Sequence, residues 1–186
     1  MTAENLFYFE LLAPITGIIA LVFAVYLAFQ VNKYDIGPEK MREIYMAIRE
    51  SSKAYLIQQY KTIGIVSAIL AVVLYVAFDL QGHNGTPLVS FSFLVGALFS
   101  LAAGYVGMDV ATRANARTAY AAQESLDVPL KIGYYGGLVM GLFNVGLSLL
   151  AVTGLYYLYG EVELIVGLCF GASLSALFAQ LGGGIF

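Results

Sequence analysis

Residues 104–119 read GYVGMDVATRANARTA. An apolar run passes within one helical turn into Asp109, Arg113, Asn115 and Arg117, set among alanines. Asp109, Arg113 and Arg117 recur at four-residue steps, which on a helix makes one slowly drifting stripe. Asp109 and Arg113 are placed for an i,i+4 ion pair, worth tenths of a kcal/mol where exposed. Ala111, Ala114, Ala119 and Ala122 offer another face small enough for close helix contact. The stripe therefore reads as the point where a helix leaves an apolar medium, with its arginines marking the polar side.

The composition says which medium that is. Hydrophobic residues make up 60% of the 186 and charged residues 11%, against roughly one charged residue in four for a soluble domain. So few charges cannot cover a globular surface, and lipid is the solvent they imply. The single cysteine, Cys169, excludes an internal disulfide. It lies in an apolar run and is expected to pack as a small apolar residue. One histidine, His83, sits in the turn-rich stretch QGHNGTP with no carboxylate pair or second cysteine to complete a metal site. A soluble metal or thiol enzyme is excluded on these grounds, and no basic patch of the nucleic-acid-binding kind occurs.

Five stretches have the length and apolarity to cross a bilayer, which takes about 20 helical residues. They are 11–31, 62–78, 88–108, 132–160 and 164–186, so the fold class is an all-α polytopic membrane protein. The N-terminal MTAENLFYFE has no Lys or Arg, and so lacks the basic region of a signal peptide. The first stretch is expected to persist as a span.

Orientation follows from the distribution of charge. Lys33, Lys40, Arg42, Arg49, Lys53 and Lys61 lie between the first two spans, and Arg113, Arg117 and Lys131 between the third and fourth. The alternate connections hold no Lys or Arg. The positive-inside rule then puts the N-terminus outside and loops 32–61 and 109–131 in the cytoplasm. Aromatic residues at 7–9 and at 156, 157 and 159 fall at one common boundary, as interfacial belts do. The expected organisation is a single membrane domain over 1–186.

The first cytoplasmic loop has its own pattern. After Gly37–Pro38, a helix start with Pro in its first turn, apolar residues recur at Met41, Ile44, Tyr45, Ile48, Tyr55 and Leu56. No breaker precedes the second span. One helix from Pro38 to about Phe78 would reach some 60 Å at 1.5 Å per residue and stand clear of the lipid. The alternative is a helix lying flat on the membrane surface.

The fourth and fifth spans are rich in glycine: Gly133, Gly136, Gly137, Gly141 and Gly146, then Gly167, Gly171, Gly182, Gly183 and Gly184. Small residues at such steps let membrane helices approach closely. Asn144, at mid-span, is expected to make an interhelical hydrogen bond.

GYVGMDVATRANARTA, AIRESSKAYLIQQYKTI (47–63) and ALFAQLGGGIF (176–186), in that family's order along the chain, resemble the membrane-integral inorganic pyrophosphatases. The resemblance covers about residues 1–186. It implies a homodimer of sixteen transmembrane helices per subunit with both termini outside, of which these residues supply the first part. It further implies hydrolysis of inorganic pyrophosphate with Mg²⁺, coupled to H⁺ or Na⁺ transport. Whether K⁺ also activates depends in the family on residues beyond these. The location would be a cell membrane, or a vacuolar-type membrane in a eukaryote.

In that family the glycine triplet, Ile and an aromatic are followed by Thr-Lys-Ala-Ala-Asp-Val-Gly-Ala-Asp-Leu-Val-Gly-Lys, the first substrate and metal motif. The chain stops at Phe186, before it, so no catalytic residue and no Mg²⁺ ligand is assigned within 1–186. These residues are expected to be an N-terminal part, inactive alone. One position departs from the family pattern. Where the family commonly has an ion-pathway Arg, this chain has Gln180. Glutamine lacks the fixed positive charge that would hold a neighbouring carboxylate ionised. Gln180 is thus the one candidate ion-pathway residue, with a simple interhelical polar contact as the alternative. The competing reading of the whole is a non-catalytic multi-pass transporter or scaffold.

Overall fold

The computed structural model describes residues 3–80 and 86–185, with side chains over 11–80 and 86–177. Among them there are helices and no strands. In chain order these are α1 (Ala3–Asn32), α2 (Glu39–Leu74), α3 (Leu88–Ala121), α4 (Asp127–Tyr159) and α5 (Val162–Ile185). A single wide π-helical turn, Tyr75–Asp79, extends α2. Four of the helices are long and apolar enough to cross a membrane; the described part of the fifth, Val162–Leu177, is apolar but shorter.

Four helices overrun the spans expected of them, α1 by beginning at Ala3. The 41 residues Glu39–Asp79 form the continuous rod expected from the absence of a breaker, about 60 Å long. α3 runs without interruption through the Asp109 stripe to Ala121. α4 begins at Asp127, accommodating Pro129 in its first turn where no N–H is needed. α4 ends on Gly160, whose φ of 70° is the left-handed cap that glycine adopts without strain.

α3 is the axis of the bundle. It packs against α2, α4 and α5, while α1 lies chiefly along α4. Glycines set the closest approaches, because a membrane interface gains its energy from contact between backbones rather than from expelling water. In the α3–α5 crossing, a Cβ on Gly96 would strike the carbonyl of Leu168, and one on Gly171 the carbonyl of Phe93. In the α1–α4 crossing, Gly17 and Gly146 face each other, and a Cβ on Gly146 would lie 2.9 Å from the Gly17 oxygen.

The glycine pattern is therefore used unevenly. Gly146, Gly167 and Gly171 pack as their spacing suggests, and Gly136 meets Ala114. Gly133, Gly137 and Gly141 have no described neighbour within 4 Å of an added Cβ. The partner glycines Gly17 on α1 and Gly96 on α3 stood outside the recognised pattern, which covered the fourth and fifth spans alone. The alanine face of α3 also needs correction. Only Ala114 of its four alanines is buried; Ala111, Ala119 and Ala122 are exposed. The buried face is instead Gly107, Val110, Ala114 and Arg117, a path that turns with the 3.6-residue period.

Two further expectations are overturned. Cys169 is exposed rather than packed, because the buried face of α5 runs through Leu164, Gly167, Leu168, Gly171 and Ser175. Asn144 is exposed and makes no hydrogen bond to a described residue. It borders a small cavity of about 30 Å³ with Ser100, Ser148 and Gly96.

Candidate functional site

The charged residues singled out in the sequence come together at the basic end of the bundle. Arg49 projects from α2 and Asp109 from α3, and their side chains form an ion pair. Arg113, one turn along α3, reaches the other carboxylate oxygen of Asp109 at 2.5 Å. One carboxylate thus joins two arginines, and the four-residue step on α3 makes half of that arrangement. The other half needs α2 to stand upright beside α3, sixty residues away in sequence.

Arg117, the third member of the stripe, is only 8% exposed. Its guanidinium donates from Nε to the carbonyl of Tyr34 at 2.9 Å and from NH1 to the carbonyl of Arg113 at 2.7 Å. No carboxylate faces it among the described residues. Its charge is met by carbonyl dipoles and by the ring of Tyr45, whose centroid lies 5.9 Å from the guanidinium carbon. Arg49 approaches the same ring at 5.7 Å and donates to the Tyr45 hydroxyl at 2.9 Å. Tyr45 therefore sits between two arginines and ties α2 to α3, while Arg117 ties α3 to the chain leaving α1. The sequence suggested arginines marking a polar side; Arg117 instead is an internal clasp.

The connection it grips is itself ordered by local bonds. The Asp35 carboxylate accepts from the backbone N–H of Ile36 at 2.7 Å and of Gly37 at 3.3 Å. The Gly37 N–H, then that of Ile36, hold its carboxyl below the usual value of 3.8. Gly37 has φ 95°, and a Cβ there would run into the ring of Tyr120 on α3. Positive φ and lack of space both require glycine at this point.

A second polar node lies at the opposite end. The π-helical turn swings Asp79 inward until it is fully buried. There it accepts hydrogen bonds from the backbone N–H groups of Val89 (2.9 Å) and Ser90 (3.1 Å) and from the Ser90 hydroxyl (2.6 Å). These are orphan donors at the start of α3, and a carboxylate there also meets the positive end of the helix dipole. In the sequence Asp79 served only as the boundary of a span. The available signal was an acid ending one apolar run, eight residues before a run that opens Pro-Leu-Val-Ser.

No three His, Cys, Asp or Glu side chains gather within reach of one metal ion among the described residues. Asp109 is held by two arginines and Asp79 by backbone donors, so neither offers the open carboxylate oxygens that Mg²⁺ requires. The described residues do not fit a magnesium site. Gln180 lies on the backbone of α5, but its side chain, like His83, is outside the described residues.

A sequence profile of the family described as inorganic H⁺ pyrophosphatase matches residues 18–186. A relative from Methanosarcina mazei, named a K(+)-insensitive pyrophosphate-energized proton pump, is 47% identical over 94% of this chain and 25% of its own length. A second of that name from Pyrobaculum aerophilum is 41% identical over 98% of this chain and 26% of its own. A third, from Clostridium tetani, is provisionally named a K(+)-stimulated pyrophosphate-energized sodium pump; it is 39% identical over 96% of this chain and 26% of its own. The chain spans about a quarter of the length of the curated relatives it matches.

Proposed function

The chain belongs to the inorganic H⁺ pyrophosphatase family, and from that premise we propose that it is part of a pump that couples pyrophosphate hydrolysis to H⁺ or Na⁺ transport. It is a multi-pass membrane protein. The observation that carries the proposal is the match over residues 18–186, together with relatives whose names specify a pyrophosphate-energized proton or sodium pump.

Within such a pump these residues act as scaffold. Asp109, Arg49 and Arg117 are engaged in holding helices together: Asp109 by Arg49 and Arg113, Arg117 by two carbonyls. Side chains occupied in this way do not bind a diphosphate or activate a water. The catalytic aspartates and lysines, the Mg²⁺ ligands and any K⁺ site would then belong to other segments of the longer protein, as would most of a homodimer interface. The basic ends of α1–α4 face the cytoplasm in this reading, since nine cationic residues cluster there and none occupies the opposite connections. Gln180 would border the ion path without supplying a positive charge.

The test uses the full-length protein in sealed inside-out vesicles. Pyrophosphate should drive acidification or Na⁺ uptake that stops when Mg²⁺ is chelated. Hydrolysis without ion movement, or neither, would reject the proposal. The 186-residue chain purified alone should release no phosphate from pyrophosphate.

A further inference from the structure

A groove of about 220 Å³ runs along the outside of the bundle between α1 and α3, with α4 as its floor. Its lining changes character along its length. Ala24, Val25, Ala28 and Phe29 of α1 face Val106 and Val110 of α3, with Val139 and Phe143 beneath; Asn32, Asp109 and Arg113 close the basic end. From Ala24 to Asn32 the helix rises about 12 Å. We infer that this groove binds an anionic phospholipid, its acyl chain along the apolar stretch and its headgroup phosphate at Arg113 and Asn32.

Three observations favour that occupant. First, Arg113 gives NH2 to Asp109, while its buried Nε has no hydrogen-bond partner among the described residues. A guanidinium carries five donors in a rigid fork suited to phosphate, so most of this one's capacity is unused. Second, two arginines share one aspartate here, Arg117 lies a turn further along α3 with carbonyls as its partners, and Lys33 follows Asn32 directly. The local balance is positive, as an anionic headgroup requires. Third, Val25 and Phe29 are 49% and 66% exposed, so with α1 and α3 spanning a bilayer the groove opens sideways toward the hydrocarbon. A free phosphate would leave that apolar length empty, and a peptide helix would leave the arginine's donors in need of a further partner.

The inference rests on the reading that α1–α4 cross a bilayer with their basic ends at the anionic cytoplasmic leaflet. The experiment is native mass spectrometry of the delipidated full-length pump, supplied with phosphatidylglycerol or phosphatidylcholine, with pyrophosphate hydrolysis followed in parallel. One arginine near a headgroup corresponds to roughly a fivefold preference. Wild type should retain phosphatidylglycerol by about that factor over phosphatidylcholine. Arg113→Gln should abolish the preference. Val25→Phe, which fills the groove at an exposed position, should lower retention of both lipids while leaving hydrolysis intact. Unchanged phosphatidylglycerol retention in an active Val25→Phe protein would overturn the inference. So would displacement by inorganic phosphate irrespective of acyl chains, which marks a free-anion site, or an active wild type that retains neither lipid, which marks a groove filled by another helix. Should Arg113→Gln fail to fold, Val25→Phe still decides. Loss of hydrolysis in wild type itself would strike the pump reading instead.

Discussion

Asp109 shows how much one side chain can be asked to do in this bundle. It neutralises two arginines from two helices, so removing it leaves two cations facing each other in a partly shielded place. Asp109→Ala should cost about 2 kcal/mol, less than the 3–5 typical of a fully buried pair because all three groups keep some exposure to solvent. Thermal unfolding of the full-length protein measures it. Arg49→Ala should be milder and, combined with Asp109→Ala, non-additive; strictly additive losses would show that the two do not interact. Asp79→Ala strips three hydrogen bonds from the start of α3 and should cost about 1–3 kcal/mol. Asp35 carries a pH signature. Its folded pKa lies below 3.8, so its contribution is present above that value and disappears as the pH falls through the folded pKa. Hydrogen exchange of residues 33–38 should rise only below about pH 3.8, and a change at pH 5–6 would contradict this origin. Because Asp35 is exposed, the effect should stay local to that connection.

At the scale of elements, the tightest packing is backbone against backbone. Gly96 and Gly171 each face a carbonyl of the opposing helix, and a carbonyl cannot rotate away as a side-chain tip can. Gly171→Ala and Gly96→Ala should each destabilise by about 1–3 kcal/mol through forced separation of α3 and α5. Gly107→Ala meets the side chain of Met140, at 2.7 Å from Cγ. A thioether chain has three rotatable bonds and can yield, so this change should cost less than either. Melting temperatures of the three variants, measured side by side, test the order. The long α2 is the other lesson at this scale. Its basic half is exposed on one side and gripped on the other by Arg49, Tyr45 and the Tyr60 hydroxyl, which donates to the Leu101 carbonyl at 2.6 Å. It is a rod standing on the bundle, not a helix lying flat.

For the whole molecule, orientation is the property that most needs direct measurement. With Cys169 replaced, the full-length protein offers two reporter positions: His83→Cys in the connection without cations, and Ser125→Cys in the cationic one. In intact cells a membrane-impermeant thiol reagent should label position 83 and spare position 125. The reverse labelling would invert the proposed topology. The same placement explains the asymmetry of the two polar nodes. The Asp79 node is small, neutralised by backbone and fully buried, whereas the Arg49–Asp109–Arg113–Arg117 node is broad, positive and in part exposed, as an end at water and headgroups would require.

Sequence alone determined the class, the helix count, the continuity of α2 and the side on which the cations gather. These depend on composition and on spacing along one chain, and a bilayer converts both into structure with little ambiguity. It also carried the family resemblance, with the motif that runs through Asp109, Arg113 and Arg117. Tertiary structure decided which members of each pattern matter. Arg117 is buried while Arg113 is not, Gly171 sits tight in a crossing while Gly137 touches nothing described, and Asn144 finds no hydrogen-bond partner among the described residues. The physical reason is that a helix in lipid is apolar on every side. Its sequence then carries no strong hydrophobic face to say which way it turns. Rotation is set by where a neighbouring backbone can approach and where a buried charge finds its carbonyls, and both depend on residues far away in the chain.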